Sequence, residues 1–331
     1  LLEADALITR TRTRCNRELL EGTPVRFIAT ATIGYDHIDT EYCAEKGIFW
    51  TNAPGCNSSS VQQYLVSTLL YLTQEKNLEL DKLTLGVVGV GNVGSKVAAA
   101  AEALGMRVLL YDTPRQRREY DPKFLVLDQL LAESDVLTLH VPLNKDGRDK
   151  TFEMVSRDLT RKLKKGSILI NTSRGTVIQE DALLEALASG TLADVVLDVY
   201  PDEPVISPAL LEAVTLGTPH IAGYSMDGKA NGTSMSVQAI SRFFRLGLDK
   251  WFPDAVPLPS STELLADASQ GSLYEVLWEL FRQTYDVSRD HQNLTEHPAD
   301  FEKLRGAYPL RREQGAYSVR LFQGYEEIRR I

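Results

Sequence analysis

The sequence has few of the residues that build disulfide frameworks or metal centres. Its three cysteines, Cys15, Cys43 and Cys56, are widely spaced and form no CxxC pair. We therefore predict neither a disulfide framework nor a thiolate zinc site, and no grouping of His, Cys, Asp and Glu has the spacing of metal ligands. We expect no bound metal and a protein of a reducing compartment, the cytoplasm.

Positive charge and long apolar runs are also scarce. Lys and Arg total 36 against 45 Asp and Glu, which gives a formal net charge of -9 and an isoelectric point near 5.2. Nucleic-acid-binding proteins carry clustered positive charge, so no nucleic-acid partner is predicted. No apolar run reaches the roughly 18 residues that a membrane-spanning helix needs, and we predict no membrane association.

The length of 331 residues is enough for two or three domains, each with its own core. The chain begins with Leu1, close to the strand-like run ALIT, so we expect an upstream part of the first domain to be missing. A helical run follows Gly232 (TSMSVQAISRFFRLGLDKW), and the proline-rich residues 253–261 then form a predicted linker to a further module.

The middle of the chain alternates continuous apolar strands with helices. Residues 83–112 (LTLGVVGVGNVGSKVAAAAEALGMRVLLYD) contain a strand, a glycine turn, an alanine-rich helix and a second strand. Three more apolar strands follow, in the runs DVLTLHVPL, GSILINTSRG and ADVVLDVY. Strands that are apolar throughout are buried on both faces, so this pattern predicts a Rossmann-type, doubly wound parallel sheet.

The run GVGNVG has the GxGxxG spacing of a dinucleotide-binding turn. It follows a predicted strand, begins a helix, and is succeeded by Asp112 at the end of the next strand, which is the context this motif requires. The aspartate would bind the adenosine ribose of NAD and repel a 2'-phosphate, although Arg115, Arg117 and Arg118 would weaken that preference. The alternative is a glycine-rich connection without a ligand. The predicted NAD contacts here are Gly89, Gly91, Asn92, Val93, Gly94 and Asp112.

Three polar residues follow successive predicted strands, where an open parallel sheet binds its ligands. Arg174 suits a carboxylate, Glu203 could support a histidine, and His220 could carry a proton near neutral pH. Taken singly, they could be a surface arginine, a solvated acidic turn and an exposed histidine. Together they supply what the oxidation of a 2-hydroxy acid demands, and we predict that they are the catalytic residues.

These motifs resemble those of the D-isomer-specific 2-hydroxyacid dehydrogenases, and the resemblance covers nearly the whole chain. The family pattern places Arg after a TSRG-like turn, Glu in a DVxxxEP stretch and His in TPHIAG. The resemblance implies that Arg174 binds the substrate carboxylate and carbonyl, and that Glu203 supports the histidine. His220 would take the hydroxyl proton as hydride leaves for NAD.

Four stretches resemble one branch of this family that has an additional C-terminal module: TATIGYDHID, APGCNSSSV, HIAGYSMDGKANGT and YDVSRD. In that branch the module mediates dimerisation and the substrate is a phosphorylated 2-hydroxy acid, so the resemblance implies a homodimer with such a substrate. It also implies substrate contacts by Thr11, Thr32 and Tyr224. The further NAD contacts that it implies are Thr172, Ser173, Asp198 and Gly223.

The resemblance predicts the domain order as well. A smaller flavodoxin-like α/β substrate domain comprises residues 1–62 and 223–252. The NAD-binding Rossmann domain, residues 63–222, is inserted in it, and residues 260–331 form a C-terminal α+β dimerisation domain.

Two other functions stay open from the sequence. A dehydrogenase for another D-2-hydroxy acid, such as 3-phosphoglycerate, would share the catalytic residues, and a NAD-sensing regulator would share the fold. A substrate phosphate also needs cationic partners, for which the sequence offers Arg10, Arg12, Lys229, Arg311 and Arg312.

Overall fold

The computed structural model describes residues 1–267, 269 and 271–321. The chain forms two compact units. The first unit comprises Leu1–Ser60, Gly223–Ser260 and Leu310–Ala316. The second unit comprises Val61–Ala222, Ser261–Pro309 and the described residues from Tyr317 onward.

The strands are, in chain order, β1 (Ala6–Thr9), β2 (Phe27–Thr30), β3 (Phe49–Thr51), β4 (Thr84–Val88), β5 (Arg107–Tyr111), β6 (Val136–Leu139), β7 (Ser167–Asn171), β8 (Leu192–Leu197), β9 (Leu216–Gly217), β10 (Glu263–Ala266) and β11 (Ser318–Leu321). The α-helices are α1 (Arg17–Leu20), α2 (Thr40–Lys46), α3 (Ser58–Lys76), α4 (Asn92–Ala103), α5 (Thr113–Glu119), α6 (Leu127–Glu133), α7 (Arg157–Thr160), α8 (Glu180–Ala188), α9 (Pro208–Ala213), α10 (Met226–Phe244), α11 (Leu273–Phe281), α12 (Val287–Glu296) and α13 (Phe301–Gly306).

The second unit is built on a six-stranded parallel sheet with the order β5-β4-β6-β7-β8-β9. Strands β4, β6 and β7 are buried along their whole length, as their continuous apolar sequences predict. The strand order changes direction at β4, between β5 and β6, and an open α/β sheet binds its ligands at the carboxyl ends of such a switch point. The predicted Rossmann-type sheet is confirmed.

The first unit contains a three-stranded parallel sheet in the order β1-β2-β3. Helix α10 packs against β1 and β2, and the ring of Phe243 lies 4.9 Å from that of Phe27 and 5.1 Å from that of Phe49. A small apolar core lies beneath this sheet. It consists of Cys15, Leu20, Val25, Ile28, Ile38, Tyr42, Cys43 and Ile48.

Helix α10 differs from the sequence prediction at both ends. It begins at Met226, before Gly232, with Ser225 as its N-cap accepting the N–H of Gly228 at 2.8 Å. It ends at Phe244, so the prediction that RLGLDKW is helical was wrong. The two glycines inside the helix allow close packing, because a Cβ on Gly232 would lie 2.6 Å from the carbonyl oxygen of Ala31.

The residues predicted to form a third domain are divided between the two units. Residues 261–309 belong to the second unit, where His291 on α12 accepts the N–H of Gly217 at the end of β9, at 3.0 Å. Residues 310–316 belong to the first unit. Residues 322–331 of the predicted domain lie outside the described residues, and its role in dimerisation stays a prediction.

Candidate active site

The three glycines of the loop between β4 and α4 have different environments. Gly89 has φ of +88°, and a Cβ there would lie 2.5 Å from the carbonyl oxygen of His140. A Cβ on Gly94 would lie 2.0 Å from the carbonyl oxygen of Gly89, so only glycine lets α4 pack this closely. Gly91 is exposed, and a Cβ there would meet nothing within 4 Å. The loop therefore presents bare backbone at the start of α4, where Asn92 and Val93 form the first turn, and this fits a pyrophosphate.

Asp112 follows β5 and connects the glycine-rich loop to the next helix. Its Oδ2 accepts the N–H of Val90 and its Oδ1 accepts the N–H of Arg115, both at 2.9 Å. A carboxylate can accept about four hydrogen bonds, so two acceptor positions remain for ribose hydroxyls. The glycine-rich loop and Asp112 together fit the pyrophosphate and adenosine ribose of NAD.

The three arginines that follow are paired with acidic side chains. Arg115 donates two hydrogen bonds to Glu119, each of 2.8 Å, and Arg118 pairs with the same carboxylate at 3.2 Å. Arg117 pairs with Asp149. Two carboxylates thus pair with the three arginines, which leaves less attraction for a 2'-phosphate than the sequence alone suggests.

Thr172 and Ser173, the next predicted NAD contacts, follow β7. Thr172 is partly exposed, and its hydroxyl lies 3.5 Å from Nδ1 of His140. Burial lowers the pKa of His140 to about 3, so this imidazole is neutral. Ser173 is buried and donates its hydroxyl proton to Oδ1 of Asn171 at 2.7 Å. The contacts of Thr172 and Ser173 with NAD stay predictions.

Arg174 is carried by a turn that two neighbouring residues fix in place. The buried Asn171 accepts the N–H of Ser173 at 2.9 Å and donates to the carbonyl oxygen of Arg174 at 2.9 Å. A Cβ on Gly175 would lie 1.9 Å from the carbonyl carbon of Tyr200, so this turn abuts the segment that leads to Glu203. We did not single out Asn171 and Gly175 from the sequence, although both lie in the run NTSRG.

Glu203 and His220 form a hydrogen-bonded pair, with 2.7 Å between Oε2 and Nδ1. The other carboxylate oxygen accepts the N–H of Tyr200 at 2.8 Å. Burial opposes the ionised form, but the hydrogen bond and charge of His220, the Tyr200 N–H and the charge of Arg305 outweigh it and lower the pKa of Glu203. A carboxylate only accepts, so Nδ1 carries the proton and Nε2 is left for proton exchange with a substrate.

Asp198 forms hydrogen bonds with residues on both sides of this histidine. Its carboxylate accepts hydrogen bonds from the hydroxyl of Thr218 and the N–H of Ile221, both at 2.7 Å, and from the N–H of Ala222 at 2.9 Å. His220 itself has φ of +54°, a conformation uncommon outside glycine. Burial raises the pKa of Asp198 to about 6, although the charge of His220 and the three donors oppose this effect. A direct contact between Asp198 and NAD stays a prediction.

The predicted substrate contacts Thr11, Thr32 and Tyr224 belong to the first unit. Thr11 is exposed just after β1. The Thr32 hydroxyl lies 2.7 Å from that of Thr30 and donates to the carbonyl oxygen of Gly34 at 2.9 Å. These three contacts are untested and stay predictions.

Gly223, also in the first unit, was predicted to approach NAD. A Cβ there would lie 2.1 Å from Nδ2 of Asn57, which donates to the carbonyl oxygen of Gly223 at 3.1 Å. The packing of Asn57 by itself explains why this position is glycine. The contact with NAD stays a prediction.

Two other kinds of site are absent from the described part of the chain. Among residues 1–267, 269 and 271–321, no helix is both long and apolar enough to cross a membrane. No group of three or more His, Cys, Asp and Glu side chains in the same residues is placed to hold a metal ion.

Comparison with known proteins agrees with this fold. Residues 63–222 match the family model described as D-isomer specific 2-hydroxyacid dehydrogenase, NAD binding domain. The crystal structure of a D-lactate dehydrogenase from Aquifex aeolicus, complexed with NAD and lactic acid, is 30% identical with a TM-score of 0.62, covering 78% of this chain and 89% of that one. The fold and the site therefore define a NAD-dependent oxidoreductase that acts on 2-hydroxy acids.

Relatives with higher identity narrow this class. An erythronate-4-phosphate dehydrogenase of Bacteroides fragilis is 54% identical over 317 residues, which are 96% of this chain and 88% of the relative. Another erythronate-4-phosphate dehydrogenase, from Salmonella arizonae, is 43% identical over 323 residues, which are 96% of this chain and 85% of the relative. The chain belongs to the erythronate-4-phosphate dehydrogenases, a family within the D-isomer specific 2-hydroxyacid dehydrogenases.

Proposed function

We propose that this protein catalyses the NAD-dependent oxidation of 4-phospho-D-erythronate to (R)-3-hydroxy-2-oxo-4-phosphooxybutanoate, a step in the biosynthesis of vitamin B6 as pyridoxal 5'-phosphate. The observation that carries this proposal is the 2.7 Å hydrogen bond between Glu203 and His220, in a chain 54% identical to a relative named for this substrate. The relatives favour neither a dehydrogenase for another D-2-hydroxy acid nor a NAD-sensing regulator.

Three side chains of the second unit have separate roles in this reaction. When bound, NAD would supply the acceptor for the hydride that leaves C2 of the substrate. Nε2 of His220 removes the proton of the C2 hydroxyl, and the Glu203 carboxylate stabilises the imidazolium that results. The guanidinium of Arg174 binds the substrate carboxylate through its planar fork and orients C2.

Residues of the first unit complete the proposal. We assign substrate contacts to Thr11, Thr32 and Tyr224. The Thr32 hydroxyl donates to Gly34, so it would accept, rather than donate, a hydrogen bond from a substrate hydroxyl.

The proposal includes assembly and location. We propose a homodimer, formed through the C-terminal residues 260–331, and a cytoplasmic enzyme. All three cysteines are free and buried, which suits a reducing compartment. Light scattering after size-exclusion chromatography would give the mass in solution, and a monomer at micromolar concentration would contradict the dimer. Recovery of the native protein in the membrane fraction of its own cells would contradict the location.

The experiment that tests the activity follows NAD reduction at 340 nm. The substrates are 4-phospho-D-erythronate, 3-phosphoglycerate and D-lactate, and a parallel set contains an added 2-oxo acid in case NADH leaves slowly. We expect turnover confined to the erythronate ester. His220→Ala should lower kcat by about 10² to 10⁴-fold, the usual contribution of a general base. His297→Ala, which removes an exposed histidine, is the matched control and should keep full activity.

The other outcomes identify the alternatives. Faster turnover of 3-phosphoglycerate would keep the fold and the catalytic pair but reject the substrate. Binding of NAD without any turnover would reject the enzyme and favour the regulator. Full activity in His220→Ala would reject the role of the histidine.

A further inference from the structure

The carboxyl edge of the three-stranded sheet in the first unit brings two cationic side chains together with candidate substrate residues. Arg10 directly follows β1 and Thr32 comes shortly after β2, and the parallel order of these strands places both at one edge. Helix α10 reaches the same edge, because Gly232 packs against the backbone of Ala31. Lys229 lies about one helical turn before Gly232, near the start of α10.

Two of the five cations that the sequence offered for a substrate phosphate are occupied elsewhere. Arg312 is 8% exposed, forms two 2.9 Å hydrogen bonds with the carboxylate of Asp227, and donates to the carbonyl oxygen of Pro257 at 2.7 Å. Arg311 is 4% exposed and donates to the carbonyl oxygen of Ser60 at 2.5 Å. These contacts hold residues 310–316 against the rest of the first unit, so neither arginine is placed to bind a ligand.

Arg10 and Lys229 have a different environment. Within the described part of the chain, neither side chain forms an ion pair with a carboxylate. The ammonium group of Lys229 lies 5.7 Å from the ring centroid of Tyr224, which is itself a candidate substrate residue. Burial lowers the pKa of Lys229, and the positive charge of Arg10 lowers it further. The two cations therefore lie close enough to repel each other. Arg10 is exposed and Lys229 is half-buried. Two neighbouring like charges, one of them partly desolvated, are stabilised by an anion when no acidic side chain pairs with them.

We propose that Arg10 and Lys229 bind the phosphate group of the substrate, a phosphate monoester dianion, and so select phosphorylated over unphosphorylated 2-hydroxy acids. The inference rests on the proposed function, because it assigns the non-reacting end of that substrate. Arg10 supplies a planar fork that suits two phosphate oxygens, and Lys229 supplies a point charge beside the Tyr224 ring.

The main test compares 4-phospho-D-erythronate with D-erythronate as substrates. Each of Arg10→Gln and Lys229→Gln should lower kcat/KM for the phosphorylated substrate by roughly 10- to 100-fold, the usual effect of one charge-assisted contact. The same variants should change kcat/KM for D-erythronate by less than about threefold. Lys229→Arg keeps the charge and should retain most of the preference. Lys250→Gln, which removes an exposed cation of the same unit, is the matched control.

A second measurement separates this inference from the proposed function. Isothermal titration with inorganic phosphate should show binding to the wild type and weaker binding to Arg10→Gln and Lys229→Gln. If the wild type oxidises none of the substrates but binds phosphate in this way, the proposed function fails and the phosphate site stands. The wild type could instead be active while kcat/KM of the variants falls by the same factor for both substrates, or does not fall at all. Either result would reject the phosphate site and leave the proposed function standing. Unchanged NADH binding would show that the variants are folded.

Discussion

Gly175 and Tyr200 approach each other so closely that a Cβ on the glycine would lie 1.9 Å from the carbonyl carbon of the tyrosine. This contact joins two loops of the second unit, because the N–H of Tyr200 donates to Glu203 and Gly175 directly follows Arg174. The positions of two catalytic candidates therefore depend on a residue that has no side chain.

We expect Gly175→Ala to displace the Arg174 turn. No real Cβ reaches 1.9 Å from a backbone atom, so one of the two loops must move, and a displacement of about 1 Å can cost on the order of 100-fold in rate. Steady-state kinetics should show this loss in kcat/KM, together with a lower melting temperature. Gly315→Ala, where a Cβ would meet nothing within 4 Å, is the control. Wild-type kinetics in Gly175→Ala would contradict the positioning role of the contact.

Asp198→Asn should remove a pH dependence of stability. The pKa of Asp198 is about 6 in the folded protein against an ordinary value of 3.8, so the folded state binds the proton more tightly. The stability from this group is fully present below about pH 4 and is lost as pH rises to about 6. Chemical denaturation from pH 4 to 7 should show the wild type losing up to about 3 kcal/mol relative to the variant across that range.

The exposed Asp158 offers a control for the loss of a carboxylate, since its side chain is 90% exposed. The free energy of unfolding of Asp158→Asn should show the same pH dependence as that of the wild type. A difference between Asp198→Asn and the wild type that stays constant from pH 4 to 7 would show that the buried carboxyl does not titrate as proposed.

His220→Ala should destabilise the protein more at pH 7 than at pH 4. Glu203 has a lowered pKa in the folded state, so it contributes stability above its ordinary pKa that is lost as pH falls through the folded value. Without His220 the buried carboxylate loses a hydrogen bond, and we expect about 2 kcal/mol of additional destabilisation at pH 7. Denaturation curves at both pH values measure this effect, with His297→Ala as control. An equal loss at pH 4 and pH 7 would argue against an ionised Glu203.

Asp149→Asn should shift cofactor use towards NADP. The substitution removes the acidic partner of Arg117, whose pKa is raised mainly by its hydrogen bond to Asp149. The released guanidinium would attract the 2'-phosphate that Asp112 repels, and we expect the ratio of kcat/KM for NADP to that for NAD to rise about tenfold. Asp128→Asn, which removes the partner of Lys162 in another surface ion pair, should leave the ratio unchanged. No shift in Asp149→Asn would place Arg117 outside the cofactor site.

Much of the second unit could be predicted because its signals are local. Continuous apolar strands, the GVGNVG turn and an aspartate after β5 are all read within about 30 residues, which is the span of one βαβ unit. The same locality placed Arg174, Glu203 and His220 at strand ends. Hydrophobic periodicity and turn chemistry therefore determined the class of fold and the candidate catalytic residues.

Other features could not be predicted because local preference and tertiary packing disagree. The sequence prediction began this helix only after Gly232, yet α10 begins at Met226 and contains Gly228 and Gly232, which are poor helix formers. Close tertiary contacts explain why both glycines lie inside this helix. A Cβ on Gly228 would lie 2.8 Å from Cβ of Asn57, and Gly232 packs against the backbone of Ala31.

The sequence by itself determined the NAD-binding topology and the chemistry available at the strand ends. Only the tertiary structure decided which polar groups meet. Asp227 and Arg312 are 85 positions apart, and their pairing removes one candidate cation from the phosphate site. Asp198 accepts a hydrogen bond from Thr218, which lies 20 positions further along the chain. His220 follows in the same loop, and no local sequence pattern predicts its left-handed backbone conformation. The sequence does not show which polar groups pair. An unpaired polar group costs free energy only when it is buried, and burial is decided by the folded structure.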